Sequence, residues 1–131
     1  MDWKECQNMG IVKRVDQNKS KINSIREISK KKRESAEYLP KDHSISKITL
    51  LYDALRELLE AKAIEKGYKI YNHECYHAFL KEILGMSREG DLFNSLRKIR
   101  NGINYYGKKV NHEESKEIIN DLNYLISVFE S

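Results

Sequence analysis

The sequence has few of the residues that cross-link a chain or interrupt its helices: one proline, six glycines and two cysteines among 131 residues. Cys6 and Cys75 lie far apart and belong to no repeated pattern, so neither a disulfide framework nor a zinc knuckle is expected. We interpret both as free thiols. Pro40 predicts a helix end, because proline lacks an amide donor and disfavours helical geometry in the residue before it.

Long apolar runs and glycine-rich loops are also missing. No apolar stretch approaches the roughly 20 residues that cross a membrane, and the first residues, with Asp2, Lys4 and Glu5, lack the apolar stretch of a signal peptide. The absence of a glycine-rich phosphate loop argues against P-loop and dinucleotide-binding folds. We therefore expect a cytoplasmic protein that makes no membrane contact. Its length is typical of a single domain, residues 1–131, in which the docking of residues 1–15 stays open.

What the sequence contains instead is a helical period. Apolar residues recur every three or four positions almost throughout the chain, which is the spacing of amphipathic helices. The predicted helices cover residues 16–39, 44–67, 72–84, 87–106 and 111–131. Short turns between them favour an all-α protein, an antiparallel up-and-down bundle of about five helices. The segment after Gly67 is β-like in composition, but the chain offers no obvious partner strand, so we expect an extended connector there.

Particular residues are expected at the ends and on the inner face of these helices. Ser44 or Ser46 can cap the second helix and Asn72 the third, because short polar side chains accept hydrogen bonds from the free amides of a first turn. Gly107 ends the fourth helix. Lys32 is the exception on the otherwise uncharged inner stripe of the first helix. The periodicity alone gives no reason for a charge at that position.

Positive charge is concentrated in the first quarter of the sequence, although the net charge of the chain is only +4. Such a stretch could track the phosphates of a nucleic acid. A solvated helix face is the favoured interpretation, because Glu27, Glu34 and Glu37 partly offset the charge. The basic residues concerned are Lys13, Arg14, Lys19, Lys21, Arg26, Lys30, Lys31, Lys32 and Arg33.

The segment from His73 to His77 satisfies the His-Glu-x-x-His expression of zinc proteases, in which two histidines one helical turn apart share a metal and the glutamate acts as base. A catalytic zinc also needs a third protein ligand, and no downstream spacing favours one. We therefore expect no metal, and a structural role in which Tyr76 faces the core while His73 caps or pairs near the bundle end. The third ligands considered are His43, His112, Glu113 and Glu114.

The segment from Leu96 to Gly107 closes the fourth predicted helix with two arginines, a polar pair and two tyrosines. Helical spacing places Arg97, Arg100 and Asn104 on one face. One interpretation is structural. In it Arg100 pairs with a carboxylate of the last helix, Glu114 or Glu117, and the tyrosines pack under the turn at Gly107.

From Ser44 onward the chain resembles the HEPN domain family. The resemblance lies in a long helix rich in leucine and alanine, the Gly67-Tyr68-Lys69 connector, His73 at the start of the next helix, and Arg100-Asn101 near the end of the fourth. It implies an up-and-down bundle paired into a homodimer. It also implies one of several roles: a metal-independent ribonuclease or toxin, a partner of a small nucleotidyltransferase, or a binder of nucleotides and RNA.

By this resemblance Arg100 corresponds to the arginine that holds a phosphate, and Asn101 to its usual polar neighbour. With Arg97 and Asn104 beside them, these residues form the expected phosphate-binding set. No cofactor is implied. The site is incomplete as a catalytic centre, however, because the histidine that moves protons in that family has no counterpart at the expected positions.

Those positions are Tyr105, Tyr106 and Gly107. A tyrosine with a pKa near 10 stays protonated at neutral pH, which makes it a poor general base, although it can donate a hydrogen bond to phosphate. The candidate catalytic residues are accordingly Arg100, Tyr105 and Tyr106. In HEPN proteins accompanied by a nucleotidyltransferase, the partner can modify a tyrosine beside the motif, and Tyr105 or Tyr106 would be that acceptor.

We therefore expect a domain that binds RNA or a nucleotide phosphate through Arg100 and Asn101, in a toxin-antitoxin or nucleotidyltransferase-associated system. The first alternative is an active metal-independent ribonuclease whose proton shuttle is Tyr105, Tyr106 or a histidine from elsewhere, such as His73. The second alternative is a structural module for protein-protein interaction.

Tyrosines and lysines also interleave in a way that suits single-stranded nucleic acids, because aromatic faces stack on unpaired bases and lysines track phosphates. Half-buried tyrosines at the edge of a helical bundle are the favoured alternative. The residues are Tyr68, Tyr71, Tyr76, Tyr105 and Tyr106 with Lys66, Lys69, Lys108 and Lys109.

Overall fold

A computed structural model describes residues 1–107 and 109–130, apart from the side chains of Tyr105 and Tyr106. The described chain is mostly helical, which confirms the predicted class, and the predicted helix over residues 87–106 has the observed bounds. Within this part of the chain, no helix has both the length and the apolar character needed to span a membrane. In chain order the elements are α1 (Trp3–Asn8), β1 (Val12–Arg14), α2 (Lys19–Glu37), α3 (Ser44–Glu65), β2 (Tyr68–Ile70), α4 (His73–Ala78), a π-helical turn (Phe79–Ile83), α5 (Ser87–Tyr106) and α6 (His112–Glu130).

Helices α2 and α3 pack against each other, and two polar contacts cross between them. The Ser29 hydroxyl donates to the Ala54 carbonyl at 2.7 Å in a buried position. Lys32 Nζ donates to Glu57 Oε1 at 2.5 Å, and Glu57 is only 8% exposed. A buried carboxylate is tolerated when a charged partner meets it. The exception at Lys32 on the inner stripe therefore follows from a carboxylate on α3, which the period of α2 could not reveal.

The helix ends follow the expected chemistry only in part. The Asn72 side chain accepts a hydrogen bond of 2.7 Å from the backbone amide two residues on, which confirms it as the cap of α4. The predicted cap of α3 by Ser44 or Ser46 is wrong. His43 is the residue before that helix, without a side-chain cap bond, and the Ser44 hydroxyl donates instead to the Lys41 carbonyl at 3.2 Å.

The expectation of an unpaired connector after α3 is wrong, because that segment is the strand β2. It pairs antiparallel with β1, with Val12 opposite Ile70 and Lys13 opposite Lys69. Side chains alternate between the two faces of a strand, so Val12 and Ile70 are buried while Lys13 lies on the solvent side. A strand of three residues with one apolar side chain gave no usable period, which is why β1 was not predicted.

Cys6 and Cys75 form a disulfide, so the interpretation of both as free thiols is wrong. The bond joins α1 to α4 across 69 residues of sequence, and both cysteines are fully buried. The sulfur of Met1 lies 3.8 Å from the sulfur of Cys6 and 3.9 Å from that of Cys75. Disulfides are rare in reducing compartments. The bond is therefore an argument against the cytoplasmic location, which remains a prediction.

Trp3 settles the docking of the first residues. Its ring meets Tyr68 edge-on at 5.1 Å between centroids and lies 5.8 Å from the ring of Phe79. Its backbone amide donates to Glu82 Oε2 at 2.7 Å. Helix α1 is thus held against β2, α4 and the π-helical turn by one large aromatic side chain in addition to the disulfide.

Candidate functional site

Three helices meet at the ring of Tyr52, a residue of α3 that is only 1% exposed. The ring stacks on Phe93 of α5, with 6.0 Å between centroids and 15° between planes. The guanidinium carbon of Arg100, also on α5, lies over the Tyr52 ring at 5.1 Å from its centroid. The Tyr52 hydroxyl is 3.3 Å from Nδ1 of His73 at the start of α4. Tyr52 therefore brings together two of the residues that the sequence singled out.

Arg100 is held over the Tyr52 ring, and its guanidinium has few partners among the described residues. Its Nη2 lies 4.0 Å from Asp53 Oδ1, beyond hydrogen-bond distance, and the side chain is 18% exposed. Its Nε is buried and has no hydrogen-bond partner among the described residues. A buried donor without a partner costs about 1–3 kcal/mol. Because Nε itself is buried, a ligand would meet the exposed part of the guanidinium. Among the described residues, Arg100 is not paired with Glu114 or Glu117; the carboxylate within 4.0 Å of it is that of Asp53, on α3.

Two further arginines act on the same place. Arg56, on α3, and Arg97, on α5, both contribute electrostatically at Tyr52 and at His73. Arg97 donates from Nε and Nη2 to the side-chain oxygen of Asn94 at 3.2 and 3.0 Å. We call Arg56, Arg97 and Arg100 the arginine cluster. The expected set contained Arg97 and Arg100 but missed Arg56. The signal available for it was its position one turn after Tyr52 on a largely apolar helix.

Asp53 lies beside the cluster, with its Oδ1 4.0 Å from Arg100 Nη2, but one carboxylate does not balance three guanidinium groups. Arg56 Nη2 also lies 3.8 Å from Glu57 Oε1, but that carboxylate is already bound by Lys32 at 2.5 Å. Several guanidinium groups beside the buried aromatic ring of Tyr52 raise the local positive potential, which attracts anions. Guanidinium groups also match phosphate oxygens in geometry, which makes phosphate the anion that this arrangement suits best.

Burial and the arginines set the ionisation of the two groups at the centre. Burial, together with the charges of Arg56 and Arg100, lowers the pKa of His73 from its ordinary value to about 4. Burial raises the pKa of Tyr52 to about 12, although the arginines oppose this rise. At neutral pH the imidazole is therefore uncharged and the phenol protonated, so the Tyr52 hydroxyl can donate to Nδ1 of His73.

Acidification is expected to destabilise the fold through His73. The unfolded chain binds this proton near pH 6.5 and the folded chain only near pH 4, so the unfolding free energy falls as pH decreases across that window. The slope is at most about 1.4 kcal/mol per pH unit, and smaller because the ring is partly exposed. Urea unfolding at pH 7 and pH 5 should show a larger loss for wild type than for His73→Asn. His43→Asn, at an exposed histidine, is the matched control and should behave as wild type; equal losses in all three would contradict the assignment.

The two histidines of the His-Glu-x-x-His motif have different partners. His73 faces Tyr52, whereas Nε2 of His77 lies 2.8 Å from Asp91 Oδ1. Cys75, between them, is in the disulfide. In the described part of the chain, no three histidine, cysteine, aspartate or glutamate side chains converge as a metal site. As expected for the structural role, Tyr76 is buried against the core.

The remaining predicted site residues lie near the end of α5. Asn101 follows Arg100 on α5 and is half-buried, whereas Asn104, at the next turn, is exposed. The side chains of Tyr105 and Tyr106 lie outside the described residues, so their catalytic and acceptor roles remain predictions. Of the expected set, Arg100 contacts the Tyr52 ring, and Arg97 acts on Tyr52 and His73 through its charge.

A cavity of about 300 Å³ lies elsewhere, between α2, α3 and α6. Its walls include Leu51 and Ile126, and its arginine, Arg33, is already paired with Glu37 and Glu130. That guanidinium is neutralised, and the other cation of the cavity is Lys47, a single ammonium group without the fork geometry of a guanidinium. We therefore place the candidate site at the arginine cluster.

The comparisons with known proteins add no family assignment. Searches against protein-family models, curated proteins and solved structures give no significant match to this chain. The resemblance to HEPN domains consequently rests on the residues quoted for it above. The function has to be argued from the geometry around Tyr52.

Proposed function

We propose that this protein binds a phosphate group of RNA or of a nucleotide through the arginine cluster. The supporting observation is the state of Arg100, whose guanidinium is fixed over the Tyr52 ring and is still partly exposed. An arginine fixed in this way loses little side-chain entropy when a phosphate binds, because its orientation is already set. Arg56 and Arg97 add positive potential at the same place.

The field at His73 supports the same proposal. After burial, the charges of Arg56 and Arg100 are the main causes that keep this imidazole from gaining a proton. The same charges favour an anion at that position, because a potential that opposes a cation attracts a phosphate by the same amount per charge. A bound phosphate would partly neutralise the arginines and allow His73 to gain a proton more easily.

The HEPN resemblance belongs to this proposal. In it the chain is an HEPN-like antiparallel up-and-down bundle that acts as a homodimer in a toxin-antitoxin or nucleotidyltransferase-associated system. The support is the order of elements after Ser44 and the position of Arg100 near the end of α5. The homodimer and the nucleotidyltransferase partner remain predictions.

A second function, metal-independent RNA cleavage, is favoured by the position of His73. A neutral imidazole can accept a proton, which a protonated tyrosine cannot do. In the tautomer with its proton on Nδ1, that nitrogen donates to the Tyr52 oxygen and Nε2 keeps the basic lone pair. In this scheme Nε2 of His73 takes the proton from a ribose 2′-hydroxyl and the 2′-oxygen forms a bond to the adjacent phosphorus. The bond from phosphorus to the 5′-oxygen breaks, and the 5′-oxygen takes a proton from water. Arg100 stabilises the charge on the phosphoryl oxygens.

Replacing Arg100 by alanine is expected to weaken binding of a fluorescein-labelled single-stranded RNA about ten- to a hundredfold, because hydrogen bonds to a charged group are lost. Arg88→Ala, which removes the same charge from an exposed position on α5, is the matched control and should change affinity less than about twofold. Fluorescence anisotropy over a range of salt concentrations measures both. Equal effects of the two variants, or binding that ignores salt, would overturn the proposal.

The same RNA separates binding from cleavage. If the protein cuts it without added metal, products with 2′,3′-cyclic phosphate ends should appear by mass spectrometry, and His73→Asn should remove them while RNA still binds. Intact RNA after prolonged incubation with wild-type protein would reject cleavage and leave the binding function alone.

A further inference from the structure

We propose that Tyr71, with Lys13 and Lys69 beside it, forms a stacking surface for an unpaired base of a single-stranded nucleic acid whose phosphate lies at the arginine cluster. We call these three residues the Tyr71 platform. The inference rests on the proposed function, because the cluster supplies the phosphate contact. It adds a second site, on the two-stranded sheet, and it names a single strand as the ligand class.

The ring of Tyr71 is presented on a fixed backbone. It is 61% exposed, and the residue follows directly after β2. Its backbone amide donates to the Ile11 carbonyl at 2.9 Å, which continues the pairing of the two strands by one residue. An exposed aromatic side chain on an ordered strand end can accept a stacked base with little loss of conformational freedom.

The lysines of the platform are placed in a way that the fold alone does not favour. Lys13 and Lys69 are directly opposite in the strand register, and like charges in such positions repel. Their Nζ atoms lie over the Tyr71 ring, 5.7 and 5.9 Å from its centre, so cation-π attraction offsets part of this repulsion and a stacking base would displace an ammonium group from the ring face. Lys69 is paired with Glu60 at 2.8 Å, whereas Lys13 has no carboxylate within 4.0 Å among the described residues. A phosphate beside Tyr71 would relieve the repulsion between the lysines.

The platform and the arginine cluster are close along the chain. Tyr71 precedes His73 by two residues, so their Cα atoms are at most about 7 Å apart. His73 contacts Tyr52, whose ring lies under Arg100, so this proposal has a single strand with its phosphate near Arg100 place a neighbouring base on Tyr71. A duplex cannot do so, because its bases are already stacked and paired.

The other aromatic candidates are unsuited to stacking where the structure describes them. Tyr68 is half-buried, with its ring against Trp3 at 5.1 Å and under the guanidinium of Arg14 at 5.0 Å. Tyr76 is buried in the core. Tyr71 is therefore the described member of the tyrosine and lysine set whose ring a base can reach.

The test compares the affinities of protein variants for a fluorescein-labelled oligouridylate eight nucleotides long. Tyr71→Ala should weaken binding about five- to a hundredfold, the range for losing one base-aromatic stack. Tyr71→Phe keeps the ring and should stay within about twofold of wild type. Tyr38→Ala removes a tyrosine that is 89% exposed at the end of α2 and should have no effect. Binding of a DNA oligonucleotide of the same length shows whether the platform distinguishes RNA from DNA. The affinity for duplex RNA should be the same in wild type and in Tyr71→Ala.

The outcomes separate this inference from the proposed function. Loss of affinity in Arg100→Ala without loss in Tyr71→Ala would overturn the platform and leave the phosphate site intact. Loss of affinity in Tyr71→Ala without loss in Arg100→Ala would overturn the proposed function and the link between the two sites. No binding of either single strand by wild-type protein would overturn both. Parallel losses in Tyr71→Ala and Tyr38→Ala would show a nonspecific surface effect and reject the platform.

Discussion

Removal of the Cys6–Cys75 disulfide is expected to lower the free energy of unfolding by about 4 kcal/mol. The bond closes a loop with a sequence separation of 69 residues, and chain-entropy arguments give this magnitude for a loop of that length. The bond also keeps α1 next to α4, where Trp3 packs against Phe79. A loss of this size is a large fraction of the stability of a small domain.

Urea unfolding of wild type and of the double variant Cys6→Ala with Cys75→Ala measures the effect. Wild type that is unfolded in urea with a phosphine reductant exposes its disulfide to reduction. Its stability should then approach that of the double variant. The double variant itself should be indifferent to the reductant, which makes it the control. A midpoint for the double variant within error of that of oxidised wild type would contradict the prediction.

The long helices were predictable because their signals are local. In α5 the apolar spacing lies within the helix and Gly107 follows directly after it. The predicted bounds over residues 87–106 match the observed ones. The disulfide and the sheet depend on residues brought together from distant parts of the chain. Neither Cys6 nor Val12 carries a signal of its partner in its neighbourhood, so both pairings were missed.

Only the part of the candidate site that lies on α5 was predictable from the sequence. Arg97 and Arg100 stood out because they lie together near the end of one helix. The residues of α3 did not, because Tyr52 and Arg56 occur in a helix whose dominant feature is its apolar core face. The spacing of His73 to His77 drew attention to His73, but the two histidines have different partners in the structure. The contact of His73 with Tyr52 joins residues 21 positions apart. Contacts between helices cannot be read from the period of either helix.

Tyr52 is expected to be the single side chain whose loss affects fold and site most strongly. Tyr52→Ala should lower the free energy of unfolding by about 3–5 kcal/mol, because a fully buried aromatic ring stacked on Phe93 is replaced by a cavity. Tyr38→Ala, at an exposed ring, should stay within about 0.5 kcal/mol of wild type. Urea unfolding measures both, and similar small losses in the two variants would contradict the central position of Tyr52.

Tyr52→Phe separates the two tasks of this residue. It keeps the ring under Arg100 and against Phe93, and removes only the hydroxyl that faces Nδ1 of His73. If the ring positions the arginine, RNA affinity should remain within about twofold of wild type, since the cation-π contact depends on the aromatic face. The pKa of His73, followed by its imidazole NMR signals, should change, because its hydrogen-bond partner is gone. A variant with weakened RNA binding and an unchanged His73 pKa would reverse these roles, with the hydroxyl acting on the phosphate rather than on the imidazole.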